Sequence, residues 1–153
     1  MYKEKLERQV QGGELLRRLD LAGLDLRGAN LSGAILDGVN MTGANLAGAT
    51  LRESVLTDCT LREADLTGAD LRHTVFHDCK LERASLHDAR LVVAVFNGCQ
   101  LDDALLSAAD CTLATFSKSS LVGASLAGAD LGRATVTDCL THKLDLCGAG
   151  LVL

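Results

Sequence analysis

An unbroken five-residue period runs from Leu21 to Leu151. Every fifth position in this range, 27 in all, is apolar except for Cys111 and Thr141, and leucine fills 20 of them. The residue two places earlier is usually small, and it is alanine in 16 of the 27 cases. A period of five fits neither an α-helix nor a β-strand, so it indicates a solenoid of repeated units. Each unit of such a fold buries its apolar side chain only by stacking on its neighbours.

A second period, of 20 residues, is superimposed on the first. The three phenylalanines follow it: Phe76, Phe96 and Phe116. Four cysteines follow it as well: Cys59, Cys79, Cys99 and Cys139. A coil of the solenoid should therefore hold four pentapeptides and have four faces. We expect the phenylalanine rings to form one interior stack, with a rise per coil near the strand spacing of about 4.8 Å. A third series, which marks the face most like a regular parallel sheet, is Ile35, Val55, Val75 and Val95.

The two ends of the chain differ. Residues 1–18 are predicted to form an N-terminal helical cap, with residues 19–153 as the β-helix, because solenoid ends need covering. Apolar residues at the helical spacings of three and four are Leu6, Val10, Leu15, Leu16 and Leu19. At the other end the repeat continues in register to the last residue, which predicts an uncovered coil. We expect two identical ends to pair as a C-terminal head-to-head homodimer, with an interface formed by Leu146, Leu151, Val152 and Leu153.

Four runs of the sequence resemble the A-(D/N)-L-x-x units of pentapeptide repeat proteins: GANLSGAIL, MTGANLAGATL, READLTGADL and LVGASLAGADL. The resemblance implies an all-β fold, a right-handed quadrilateral parallel β-helix of about six to seven coils. It also implies that the central Leu or Phe and the preceding Ala point inward. Some members of the family resemble DNA, bind type II topoisomerases and protect them from quinolones. Others accompany bacterial secretion systems, and the opening LDLAGLDLRGANLSGA is similar to that group.

Charge and composition argue against several partners. The net charge is −5, and the acids outnumber the bases after residue 20, whereas nucleic-acid binding needs a basic track. The sequence has neither a secretory signal nor an apolar run long enough for a membrane span. We therefore expect a cytoplasmic protein that contacts no membrane and no nucleic acid directly. We also expect the four cysteines of the 20-residue series to be reduced and buried.

The residues that could carry chemistry do not converge. His77, Asp78 and Cys79 supply the groups of a catalytic triad, but Cys79 should face the core while the other two face solvent. A column of thiols in line cannot surround a zinc ion tetrahedrally. We therefore predict no catalytic, cofactor or metal site and no enzyme activity.

Two surface patterns remain as candidate binding sites. Acidic and amide residues align on two faces and could imitate nucleic-acid phosphates: Asp25, Asn45 and Asp65 on one, and Asp70, Asp110 and Asp130, interrupted by Arg90, on another. Apolar residues at outward positions should meet around one corner, and exposed apolar patches often mark partner sites. This candidate partner-binding corner consists of Val75, Val92, Val93, Val95 and Leu113.

The sequence thus predicts a non-enzymatic scaffold that acts through protein–protein interaction with an unidentified partner, such as an accessory of a bacterial secretion system. The alternative is a DNA mimic that binds a type II topoisomerase, DNA gyrase, and modulates quinolone sensitivity.

Overall fold

Seven short parallel strands form one continuous sheet along the molecule. The computed structural model describes residues 1–151. Each strand pairs with the next one in the sequence, and the partners are 20 residues apart, as Val75 and Val95 are. The strands are β1 (Leu15–Arg17), β2 (Ile35–Asp37), β3 (Val55–Thr57), β4 (Val75–His77), β5 (Val95–Asn97), β6 (Thr115–Ser117) and β7 (Thr135–Thr137). The predicted sheet-like face is therefore confirmed.

Three further faces are held by isolated parallel bridges with the same 20-residue offset. One face pairs Asp25 with Asn45, and another pairs Asp70 with Arg90. On every face, backbone N–H groups donate to carbonyl oxygens of the adjacent coil, as from Leu26 to Asn45 (2.7 Å). The predicted four-sided parallel β-solenoid is thus confirmed, with about six turns. Because the coils are in register, residues 20 apart form columns that run along the molecule.

The core consists of the central column of each face and the small residue two places before it. Leu21 to Leu131 at five-residue spacing, including Cys111, are buried. The phenylalanine rings form the predicted stack: the ring centroids are 4.7 Å apart for Phe76 and Phe96 and 4.9 Å apart for Phe96 and Phe116, with the planes 1° from parallel. These distances are also the rise per coil, and they agree with the spacing of paired strands.

The corners between faces are tight turns in the left-handed region of φ. Eleven of the glycines lie two residues after a central site, as at Gly33 (φ 74°), where glycine carries no steric penalty. The residue before each central site also shapes the turn. Asp and Asn at this position accept the backbone N–H two residues later, as Asp65 does from Thr67 (2.9 Å) and Asp130 does from Gly132 (2.9 Å). Such turns are a known reason for placing Asp and Asn at a corner.

The first coil is covered by helix α1 (Tyr2–Gln11), which buries Leu6 and Val10 against it. Two helix side chains satisfy the open backbone edge of this coil: Lys3 Nζ donates to the Arg27 carbonyl (3.1 Å), and Glu7 accepts from the Asn30 N–H (2.8 Å). Strand pairing starts earlier than the predicted boundary after residue 18. Residues 15–17 belong to β1 rather than to a second helical segment, because Leu16 occupies the central site one period before Leu21.

The apolar columns become exposed in the last coil. Val136 is 45% exposed, Leu146 43% and Leu151 62%. Cys139 is only half-buried for the same reason, so the prediction that it is buried was wrong, while Cys59, Cys79 and Cys99 are buried. Between residues 1 and 151, no helix is long and apolar enough to cross a membrane.

Candidate interaction surface

The five residues of the predicted corner lie on three neighbouring coils. Val75 and Val95 are register partners on β4 and β5. Val93 and Leu113 are stacked in the adjacent turn column, where the Val93 N–H donates to the Thr112 carbonyl (3.0 Å). Leu113 is 42% exposed, and the four valines are half-buried. We call this set, Val75, Val92, Val93, Val95 and Leu113, the corner patch.

Two residues of the corner patch adopt an unfavourable backbone conformation. Val93 has φ 61° and Leu113 has φ 59°, at the turn position where Gly33 stands in the same column. A β-branched residue with positive φ is a genuine outlier, and such a conformation costs on the order of 1–3 kcal/mol. The structure therefore carries two apolar, outward-facing side chains at positions where glycine would be easier to accommodate.

The apolar surface continues beyond the corner patch along the sheet. The outward column of the strands contains Leu15 (46% exposed), Ile35 (47%) and Val55 (40%), followed by Val75 and Val95. We call these five residues the strand stripe. Four of them form the β-branched series of the sequence, but only Val75 and Val95 belong to the predicted corner. The 20-residue spacing was the signal that could have added the other three.

Ion pairs and turn bonds occupy most of the acidic side chains that the sequence aligned. Asp70 is bound by Arg72 (2.6 Å between Oδ2 and Nη2) and faces Arg90 (3.8 Å). The hydrogen bond from Arg72 lowers the pKa of Asp70. Arg27 likewise binds Asp25 (2.6 Å), and its hydrogen bonds lower the pKa of that carboxyl to about 2. These faces are therefore mixed in charge rather than uniformly acidic.

The suspected triad is divided between the inside and the outside of the solenoid. Cys79 is fully buried, and its thiol lies 3.3 Å from the Leu56 carbonyl. His77 and Asp78 are exposed and lie 3.3 Å apart. Within residues 1–151, no group of three His, Cys, Asp or Glu side chains could hold a metal ion. Burial raises the pKa of the Cys111 thiol to about 12, so this thiol is protonated at neutral pH.

A Ser–His–Asp arrangement that the sequence did not suggest lies on a different face. His87 Nδ1 is 2.9 Å from Ser107 Oγ, and His87 Nε2 is 3.3 Å from Asp88 Oδ2. The imidazole and the carboxylate are about half exposed, whereas nucleophilic catalysis relies on donors preorganised in a water-excluded site. The contacts connect two stacked coils, since His87 and Ser107 are 20 residues apart.

The candidate dimer interface lies at the last coil of the described residues. Leu146 and Leu151 are exposed there, beside Val136 and Leu140, which is 66% exposed. Val152 and Leu153, the other two predicted interface residues, lie outside the described residues.

Comparison with solved structures shows the same architecture elsewhere. The chain is similar to two trypsin-treated forms of QnrB1, a plasmid-mediated fluoroquinolone resistance protein. The first is 18% identical with a TM-score of 0.69, and the alignment covers 87% of this chain and 73% of the QnrB1 chain. The second is 19% identical with a TM-score of 0.61, and covers 92% and 84%. Rfr23, a pentapeptide repeat protein from the cyanobacterium Cyanothece 51142, is 20% identical with a TM-score of 0.48, over 97% of this chain and 99% of that protein. Identities this low show the fold alone.

Family models match both halves of the chain. The model described as pentapeptide repeat region matches residues 16–86, and the model described as pentapeptide repeats (8 copies) matches residues 99–138. No curated protein matches the chain. The period, the four-sided solenoid and the two family models agree, and the chain belongs to the pentapeptide repeat proteins.

Proposed function

We propose that this chain is a non-enzymatic scaffold that binds another protein through the corner patch. The observation that carries the proposal is the pair Val93 and Leu113, two outward-facing apolar side chains held at positive φ. Positive φ belongs to the turn itself, since Glu53, His73 and Arg133 in the same column adopt it too. The unusual feature is that a β-branched and a bulky apolar side chain occupy this turn at the surface. Glycine at these turns would relieve the backbone, and a polar side chain would be better solvated.

A binding role accounts for both costs. Strained residues at the surface commonly belong to functional sites, where the surrounding structure fixes a conformation that function requires. Apolar side chains that a turn holds in place lose little conformational freedom when a partner covers them. An accessory role in a bacterial secretion system is one setting that such a scaffold would fit.

Site-specific photo-crosslinking in the source cells tests the proposal. A benzophenone amino acid replaces Leu113 in one variant and Lys143 in the matched control. Lys143 has the same turn position and similar φ (58°) on a different corner. We expect a discrete protein adduct from position 113, absent from position 143 and weakened by Val93→Gly. Equal adducts from both positions, or none from position 113, would contradict the proposal.

The alternative function is binding to DNA gyrase as a DNA mimic. In its support, Asp110 and Asp130 are register partners in one outward column. Against it, each of these carboxylates accepts a backbone N–H of its own turn, and Arg90 stands next in the column. A gyrase supercoiling assay with added quinolone decides this point. If micromolar protein neither inhibits supercoiling nor protects gyrase from the quinolone, the mimic is excluded.

A further inference from the structure

We propose that the strand face pairs with the strand face of a second copy of this chain, with the two solenoids antiparallel. This contact goes beyond the proposed function, because it adds self-pairing to the binding of another protein, and the strand face shares Val75 and Val95 with the corner patch. It rests on the proposed function only in treating exposed apolar side chains as a contact surface. The face consists of the seven strands and the turn residue that follows each of them.

The strand face has an apolar centre line. The outward column begins with Leu15, Ile35 and Val55, each at least 40% exposed, and continues with Val75 and Val95. Thr115 and Thr135 complete it on β6 and β7. All seven strands are in register without an offset. The column is therefore a continuous ridge across the strands that could contact an equally regular surface.

One pair of opposite charges on the same face is placed symmetrically about the middle strand, β4. Arg18 follows β1 and Asp138 follows β7, each three strands from β4. Asp37 on β2 and Lys118 after β6 are each two strands from β4, but in neighbouring columns. All four side chains are exposed or partly exposed. The other charges of the face have no opposite charge in the mirrored position: Arg17, Asp58 and Asp78. Within residues 1–151, Arg18, Lys118 and Asp138 form no ion pair, while Asp37 contacts Arg17 (3.3 Å).

One symmetry operation satisfies this arrangement. A two-fold axis parallel to the strands at β4 reverses the order of the strands and keeps each column opposite itself. Val75 then meets its own copy, and Val55 meets Val95. Arg18 of one copy faces Asp138 of the other, and this ion pair forms twice because the contact is isologous.

The residues on the axis limit the strength of this contact. His77 and Asp78 would lie near their own copies. The Asp78 carboxylate is 54% exposed, and it lies 3.3 Å from the Nε2 atom of its own His77. Two Asp78 carboxylates close to the axis repel each other and weaken the contact. A face of seven strands is about 34 Å long, and three residues wide it offers a smaller contact than the roughly 800 Å² per partner of a standard interface. We therefore expect weak self-association.

A charge-swap experiment by sedimentation tests the pairing over about 10–500 μM protein. The variants are Arg18→Asp, Asp138→Arg and the double swap. Both turns tolerate the changes, because Asp58 and Asp78 have the same φ in this column (51° and 52°), and arginine already occupies the turn at Arg18. Lys80→Asp is the matched control. It carries the same charge change as Arg18→Asp, at an exposed site on the next face.

We expect each single swap to weaken the dimer about tenfold and the double swap to restore it, since opposite charges then face each other again. Lys80→Asp should leave it unchanged. A wild type that stays monomeric throughout, or a double swap no better than the singles, would overturn the antiparallel pairing. A crosslink from position 113 to a different protein would still be expected after either of these results. The scaffold proposal and the self-pairing can therefore be refuted independently.

Discussion

Replacing Phe96 with alanine should destabilise the solenoid by about 4–5 kcal/mol. Phe96 is fully buried, and Phe→Ala in a core costs about 3–5 kcal/mol through lost burial and the cavity that remains. The upper part of this range applies because Phe96 stacks on Phe76 at 4.7 Å and on Phe116 at 4.9 Å. Each aromatic pair contributes about 0.5–1.5 kcal/mol beyond its burial, and the substitution removes both.

Urea unfolding followed by far-ultraviolet circular dichroism measures this loss by linear extrapolation. Two controls in the same column separate burial from stacking. Phe96→Leu should cost less than about 1.5 kcal/mol, because Leu36 and Leu56 already fill equivalent sites. Val136→Ala should cost less than about 1 kcal/mol, since Val136 is 45% exposed in the last coil. A loss below about 1 kcal/mol for Phe96→Ala would show that the rings do not share a packed column.

Four further predictions address the turns, thiols, charges and assembly. Val93→Gly should raise the free energy of unfolding by about 0.5–1 kcal/mol, because the release of strain outweighs the entropy cost of glycine; a lower midpoint in urea would contradict this. In native protein, a thiol reagent at pH 8 should modify the exposed Cys147 first, and fewer than six free thiols in denaturant would disprove the reduced state. The NMR titration of Asp25 should have its midpoint at about pH 2, because the pKa of this carboxyl is lowered from 3.8 to about 2. Any stabilisation by the Asp25 carboxylate is therefore fully present above pH 3.8 and is lost as the pH falls through about 2. Arg27→Ala should move that midpoint up towards 3.8, and an unchanged midpoint would reject the ion pair as its cause. Finally, the end-to-end dimer stays a prediction for the 153-residue chain: Leu151→Lys should lower the mass measured by light scattering, and an unchanged mass would place any dimer contact elsewhere.

The sequence by itself determined the architecture because a solenoid repeats one local solution. A side chain that points inward once in five residues must do so in every unit, so Leu21 and Leu126 have the same environment. The 20-residue spacing of Phe76, Phe96 and Phe116 was enough to predict both the number of faces and the interior stack. The acidic residues before the central sites were also explicable locally, since their carboxylates bind the backbone two residues later.

Tertiary structure alone decided what happens where the repeat is incomplete. Leu15 and Leu16 have helical spacing, yet they form a strand, because pairing with Ile35 and Leu36 in the next coil outweighs a local preference. Cys139 has the sequence environment of the buried Cys99, yet it is half-buried because no further coil covers it among the described residues. The strain at Val93 likewise depends on a turn that the stacked coils fix at positive φ. Similar pentapeptides thus differ in burial and strain according to the coils stacked above and below them, which the local sequence does not specify.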